Sequence, residues 1–126
     1  AEAIDNAVTY CQEITEQMEV LFKTYDVLLS PILTKSPIKI GEQSPIITGD
    51  KLKKAALDYI GYTPLYNATG QPAMSVPLNW NSNGLPIGSQ FATKLGGEKT
   101  LLALAYELEQ SRPWKDKWAS NSAFYL

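Results

Sequence analysis

Serine and lysine are the side chains that could supply nucleophilic catalysis in this chain. The sequence has no histidine, so Ser-His-Asp and Cys-His mechanisms lack the imidazole that they need near neutral pH. A serine activated by a lysine stays open, and the serines considered for this role are Ser30, Ser36, Ser75 and Ser89. None of them lies in a glycine-flanked sharp turn of the kind that exposes a nucleophile. Ser75, inside an apolar run, fits better as a small spacer, and the residues alone argue against a complete catalytic site.

Other short motifs are weaker functional signals. The glycine-rich segment Leu95–Thr100 (LGGEKT) could hold a phosphate at a helix start, but it lacks the spacing of a phosphate-binding loop. The triplet Asn67-Ala68-Thr69 matches a glycosylation acceptor, which is used only in a secreted chain. Cys11 is the only cysteine, so no thiolate or Cys/His zinc cluster is expected. The tryptophans are expected to be packing anchors: Trp80, Trp114 and Trp118.

The composition predicts a single globular domain over residues 1–126. The chain has 44% hydrophobic and 19% charged residues, and its net charge of −2 is too small to favour a nucleic acid partner. No run of about 18 apolar residues is present that could span a membrane. With one cysteine and no signal segment at the N-terminus, a cytoplasmic location is predicted. The chain starts without a methionine and inside an apparent helix, which predicts a fragment of a longer protein.

The first half of the chain is predicted to form a helix, a strand, a loop and a second helix. Apolar residues recur in steps of three and four from Ile4 to Tyr25, which is typical of an amphipathic helix. The run Asp26–Pro31 (DVLLSP) is predicted to be a buried strand. A long loop is expected over about residues 32–49, and loops of this length tend to be functional. Asp50 is predicted to cap a helix that stops at Gly61.

The second half is predicted to form a hairpin between two helical segments. A short turn is expected from Pro64 to about Thr69, broken by Gly70 and Pro72. Two extended runs, Ala73–Trp80 and Leu85–Thr93, are joined by Asn81-Ser82-Asn83-Gly84, which is typical of an antiparallel hairpin. Their prolines, Pro77 and Pro86, are expected at strand ends, bulges or an edge. A helix over Lys99–Ser111 completes a three-layer α/β sandwich with a small mixed sheet.

Several blocks of the sequence resemble the C-terminal part of amidase-signature enzymes. The blocks are YDVLLSP, YTPLYNATGQPAMSVPLNW and NGLPIGSQFATKLGGEKTLLALAYELEQSRPW, and they occur in the family's order between Tyr25 and Trp114. Within the family, the sequence is most similar to amidases of the 6-aminohexanoate-cyclic-dimer hydrolase type. The resemblance implies hydrolysis of carboxamide C–N bonds by a Ser, cis-Ser, Lys triad through an acyl-enzyme, with a small amide as substrate and with no metal or organic cofactor.

The same resemblance implies that this chain holds no catalytic residue and is inactive alone. The family's catalytic lysine and Gly/Ser-rich nucleophile segment belong to earlier parts of its chain and have no counterpart here. What carries over is a hairpin that completes the family's sheet beside the substrate pocket. Its pocket-wall or structural residues are expected to be Asn67, Gly70, Gln71, Pro72 and Gly88, with Ala73, Gly84, Pro86 and Gln90 in the same blocks.

Two other functions stay open. The parent protein could be an A-type subunit of a glutamyl-tRNA amidotransferase, or the chain could be a non-catalytic interaction module that binds through the apolar stripe from Ile4 to Tyr25. A fragment of an enzyme would expose apolar surface that once faced the rest of the protein. Self-association, or docking to the missing N-terminal part, is therefore predicted. Asn67 and Gln71 are expected to satisfy the polar groups of the turn before the hairpin.

Overall fold

The computed structural model describes residues 2–43, 49–119 and 122. Across these residues the chain forms helices and strands in the predicted order. The elements are α1 (Glu2–Leu21), β1 (Leu28–Pro31), α2 (Asp50–Ile60), α3 (Pro64–Thr69), β2 (Ala73–Trp80), β3 (Pro86–Ala92) and α4 (Glu98–Ser111). The helices and strands together confirm the predicted α/β class.

The sheet has the order β1-β3-β2, and both of its strand pairs are antiparallel. The mixed sheet that the sequence predicted is therefore not found among the described strands. The reason is the central position of β3. Strands β1 and β2 both run opposite to β3, so they are parallel to each other, but β3 lies between them and no parallel ladder can form.

The β2–β3 hairpin forms as predicted. The Asn81 side chain closes its turn, because its Oδ1 accepts hydrogen bonds from the backbone N–H groups of Asn83 and Leu85, both at 2.9 Å. Gly84 has a φ of 73°, which a side chain would disfavour. Pro86 is the first residue of β3, and the register of β2 shifts between Pro77 and Asn79. Both prolines thus lie where a missing N–H is tolerated.

Helices cover both faces of the sheet. Phe91 and Ala92 are neighbours in β3 and point to opposite faces. Ala92 packs in one cluster with Met18 of α1, with Tyr66 of α3 and with Phe22, which follows α1. Phe91 packs in a second cluster with Val76 of β2 and Leu101 of α4. The sheet therefore lies between α1 and α3 on one side and α4 on the other, which confirms the predicted three layers.

The end of α1 and the cap of α2 differ from the prediction. Helix α1 ends at Leu21 rather than at Tyr25, whose backbone N–H donates to the Leu21 carbonyl in a closing turn. Tyr25 is 60% exposed, so it adds no buried contact that would extend the helix. Asp50 is the first residue of α2 and Gly49 occupies the cap position, so the Asp50 carboxylate lies in the first turn, where the helix dipole favours it.

Residues 32–43 form no helix or strand, but hydrogen bonds hold this segment against α2. The Thr34 N–H donates to the Tyr59 carbonyl at 3.1 Å, and its hydroxyl donates to the Asp58 carbonyl at 2.5 Å. The Gln43 side chain donates to the Ala55 carbonyl at 3.2 Å. The two Thr34 bonds satisfy carbonyls in the last turn of α2 that lack helical partners. The remainder of the predicted loop, residues 44–48, lies outside the described residues.

Candidate binding groove

An open groove of about 670 Å³ lies between the segment after β1 and the β2–β3 hairpin. One wall is the chain from Pro31 to Pro37, and the other belongs to the hairpin. The lining residues are Pro31, Ile32, Leu33, Thr34, Lys35, Ser36, Pro37, Ser75, Pro77, Pro86, Ile87 and Gly88. Because Thr34 is bonded to α2, that helix fixes the position of the first wall relative to the hairpin.

The missing side chain of Gly88 shapes the floor of the groove. A Cβ atom at this position would lie 2.5 Å from Ile32 Cδ1 and 3.1 Å from Ser75 Oγ, which is closer than ordinary van der Waals contact. The glycine therefore lets Ile32 lie directly over β3 and brings the Ser75 hydroxyl beside it. An alanine here would require the end of the Ile32 side chain to move, whereas the backbone conformation does not call for glycine.

A row of polar side chains crosses the sheet next to the groove. Gln90 of β3 is in register with Ser30 of β1 and with Ser75 of β2. Gln90 is buried, and the Ser30 hydroxyl is buried without a hydrogen-bond partner among the described residues. Gln90 shares the sheet face of Ala92, two residues further along β3. The row thus places hydroxyl and amide groups beside an otherwise apolar surface. Ser75 belongs both to this row and to the lining of the groove.

The predicted site residues separate into two places. Gly88 lines the groove, whereas Asn67, Gly70, Gln71 and Pro72 lie at the end of α3 and in its connection to β2. Gly70 adopts the left-handed conformation with a φ of 76°, and its N–H donates to the Tyr66 carbonyl at 2.9 Å. The Pro72 carbonyl accepts from the Thr93 N–H at 3.2 Å. These groups join α3 to the sheet and do not line the groove.

The side chains of Asn67 and Gln71 do not close that turn. Among the described residues, Asn67 is exposed and forms no hydrogen bond through its side chain. Gln71 is 5% exposed, and neither its amide nitrogen nor its amide oxygen has a partner there. The backbone bond from Gly70 to Tyr66 closes the turn instead. The expected role of the two side chains in the turn is thus corrected, and a buried amide is left unpaired.

The serines considered for catalysis are not paired with a lysine. No hydrogen bond between described residues joins Ser30, Ser36, Ser75 or Ser89 to a lysine side chain. Ser75 faces the groove as described above. A Ser-Lys nucleophile therefore has no geometric basis in the described part of the chain.

Sequence reasoning did not identify the loop wall of the groove. The sequence places Lys35 and the apolar residues Ile32 and Leu33 only in a long loop. The available signal was the length of that loop, since loops of this length in a compact domain tend to be functional. No periodicity could show which of its residues would face the hairpin, because that depends on the contacts of Thr34 with α2.

The tryptophans converge at the tip of the hairpin. Trp80, Trp114 and Trp118 line a second cavity of about 680 Å³. The Lys117 ammonium lies 5.5 Å from the centre of the Trp80 ring, within the range of a cation–π contact. The tail after α4 therefore packs on the hairpin through these rings, as the expected role of packing anchors requires. The glycine-rich segment is also explained by packing, because a Cβ at Gly97 would lie 2.5 Å from Thr93 Cγ2.

Comparison with known proteins gives a family for this chain. The family model described as Amidase matches residues 2–102. A protein of Mycobacterium leprae that is named as an amidase, AmiC, is 35% identical over 111 residues, which is 88% of this chain and 24% of that protein. The A-type subunit of the glutamyl-tRNA(Gln) amidotransferase of Halothermothrix orenii is 40% identical over 104 residues, which is 82% of this chain and 20% of that protein.

A solved structure shows the same arrangement of elements. The structure of 6-aminohexanoate cyclic dimer hydrolase superposes with a TM-score of 0.74 at 30% identity, over 90% of this chain and 24% of that one. The chain thus spans about a quarter or less of the length of these relatives. The resemblance seen in the sequence blocks is confirmed by both kinds of comparison. The chain belongs to the Amidase family.

Proposed function

We propose that this chain works as the C-terminal portion of an enzyme that hydrolyses carboxamide C–N bonds. The observation that carries the proposal is the family match over residues 2–102, together with the similarity to a solved hydrolase of a cyclic amide. The chain contributes the hairpin, its covering helices and the groove between residues 31–37 and the hairpin. A small amide is the substrate of the intact enzyme.

The catalytic residues of this enzyme lie outside the chain. Two observations support this part of the proposal. None of the serines weighed for catalysis is bonded to a lysine in the described structure, and the chain spans only 24% of the similar hydrolase. The nucleophile is then a serine of a Ser, cis-Ser, Lys triad on another part of the protein, and the groove helps to hold the substrate beside it.

Amide hydrolysis by the purified 126-residue chain tests this assignment directly. Ammonia and amine release from a panel of primary and secondary amides is expected to stay at the level of buffer. Ser36→Ala and Ser75→Ala, the serines that line the groove, serve as paired variants and are expected to change nothing. Hydrolysis by the chain that either substitution abolishes would refute the placement of the catalytic residues elsewhere.

A second candidate is the A-type subunit of a glutamyl-tRNA amidotransferase. It is favoured by the relative from Halothermothrix orenii, which is 40% identical over 104 residues. In that case the protein would transfer ammonia with a partner protein rather than hydrolyse a free amide. Glutaminase activity that depends on an added partner protein would distinguish this function from that of an independent amidase.

Self-association, docking to an N-terminal part and a cytoplasmic location stay predictions. The first two are supported by apolar side chains that the described fold leaves exposed, such as Ile4 at 68% and Val8 at 51%. In the described part of the chain, no helix combines the length and apolar character needed to cross a membrane.

A further inference from the structure

The cavity of about 680 Å³ at the tip of the β2–β3 hairpin, the tryptophan cavity, has the size of a small-molecule site. Indole rings line it from two sides, Trp80 from the hairpin and Trp114 and Trp118 from the tail after α4. The cavity shares Pro77 and Pro86 with the groove described above, but it has none of that groove's loop wall. It is therefore a second candidate site, with the tail as a wall of its own.

The indole rings of the tail offer a fixed base and an open surface. Trp114 packs against the core cluster that contains Phe91 and Leu101, so its ring is held by the interior of the domain. Trp118 is 52% exposed, so a bound ligand can still cover a large part of its indole. An aromatic ring stacked there gains from the burial of apolar area and from the complementary charge distributions of the two rings.

Lys117 is the only charged residue among those that line the tryptophan cavity. Its ammonium lies 5.5 Å from the centre of the Trp80 ring, and this contact restrains the cation without neutralising its charge. Within residues 2–43 and 49–119, the ion pair that forms joins Lys54 to Asp58, so no carboxylate there is paired with Lys117. A positive charge at the edge of an aromatic cavity attracts an anionic ligand and repels a cationic one.

We propose that the tryptophan cavity binds an aromatic carboxylate. The aromatic ring of the ligand stacks on Trp118 above the base formed by Trp114, and its carboxylate pairs with the Lys117 ammonium. The rings provide binding to any flat aromatic molecule of this size, and Lys117 determines the preference for an anion. No covalent step is involved, and the site does not depend on the proposed amide hydrolysis.

Titration of the 126-residue chain with three small probes, followed by NMR, tests the proposal. The probes 2-naphthoate, 2-naphthamide and 2-naphthylmethylammonium carry the same ring system and differ in charge. The first two are expected to shift the indole N–H signals of the tryptophans and the amides of residues 83–85 and 114–119. Binding of 2-naphthoate is expected to be about threefold tighter than that of 2-naphthamide, because an exposed ion pair contributes about that factor. The cationic probe should bind more weakly than both.

Lys117→Met tests the role of the charge. This variant is expected to bind 2-naphthoate and 2-naphthamide equally. Lys115→Met is the matched control, since this lysine is exposed on the same tail but does not line the tryptophan cavity, and it should leave the threefold preference unchanged. Equal effects of the two substitutions would overturn the proposal.

Trp118→Leu tests the role of the ring. It keeps an apolar side chain but removes the stacking surface, so all three probes should bind more weakly while the preference for the anion remains. Tyr10→Leu is the control, because it removes an exposed ring from α1, and it should change no affinity. Unchanged affinities in Trp118→Leu would refute the stacking on this residue.

The location of the shifts decides between this cavity and the groove. Shifts of the indole signals and of residues 114–119 support the proposal, whereas shifts confined to residues 31–37 and 87–88 would overturn it. The absence of any shift at the highest soluble concentration of 2-naphthoate would overturn it as well. Because binding is measured without hydrolysis, each of these results leaves the amidase assignment to its own assay.

Discussion

The Thr93 hydroxyl donates a 2.6 Å hydrogen bond to the backbone carbonyl of Asp26, which is 67 residues earlier in the chain. Thr93 is 2% exposed, and it directly follows β3, whereas Asp26 precedes β1. The bond therefore fixes the end of β3 next to the start of β1. Since the Thr93 N–H also donates to the Pro72 carbonyl, this one residue joins all three strands at the same end of the sheet.

Thr93→Val tests the importance of this connection for stability. The substitution keeps the shape of the side chain but leaves the Asp26 carbonyl without its donor, which costs about 1–2 kcal/mol in the free energy of unfolding. Urea denaturation measures the change. Thr9→Val is the control, because the Thr9 hydroxyl donates to the Asp5 carbonyl on the exposed surface of α1, and it is expected to change stability by less than about 0.5 kcal/mol. Equal effects of the two substitutions would contradict the role given to Thr93.

Gln71→Met tests whether the buried amide of Gln71 is unpaired. Methionine has a similar shape and no polar group that needs a partner, so the substitution should stabilise the chain by about 1 kcal/mol. Gln17→Met, on the exposed surface of α1, is the control and should be nearly neutral. Urea denaturation again measures both. A loss of more than about 1 kcal/mol on Gln71→Met would show that the amide has a partner that stabilises the fold.

The double substitution Ile4→Ser with Val8→Ser tests self-association through α1. These side chains are 68% and 51% exposed, so the fold should tolerate their loss, while an assembly that buries them should dissociate about tenfold more readily. Sedimentation equilibrium measures the dissociation constant.

Leu102→Ser with Tyr106→Ser provides the matched control on α4, where the side chains are 71% and 69% exposed. This pair is expected to leave the assembly unchanged. A chain that stays monomeric at high concentration, or that dissociates only with the α4 pair, would rule out α1 as the contact surface.

Much of the fold could be predicted from local chemistry. The hairpin follows from Asn81 and Gly84 at its turn, and the end of α3 follows from Gly70. The direction of β1 could not be predicted, because its antiparallel pairing depends on distant contacts such as Thr93 to Asp26. The same limit applies to the end of α1, since local periodicity continues to Tyr25 but burial does not.

The site was harder to predict than the fold. Gly88 was identified from a resemblance, and its packing against Ile32 became visible only in three dimensions. Lys35 was not identified, because a lysine in a loop has the same local pattern whether it faces a groove or bulk solvent. Gln71 was expected to bond within its turn, yet the backbone satisfies that turn alone. For Gly88 and Lys35 the missing information was how residues far apart in sequence pack together. For Gln71 it was a local backbone hydrogen bond, from Gly70 to Tyr66.

A chimaera shows whether this chain can serve as the C-terminal portion of an amide-hydrolysing enzyme. In the chimaera, this chain replaces the matching 24% of 6-aminohexanoate cyclic dimer hydrolase, and hydrolysis of the cyclic dimer and of simple amides is measured. The chimaera is expected to hydrolyse amides, whereas the same hydrolase without that segment is expected to hydrolyse none. A folded chimaera that hydrolyses no amide, measured beside an active parent enzyme, would contradict it.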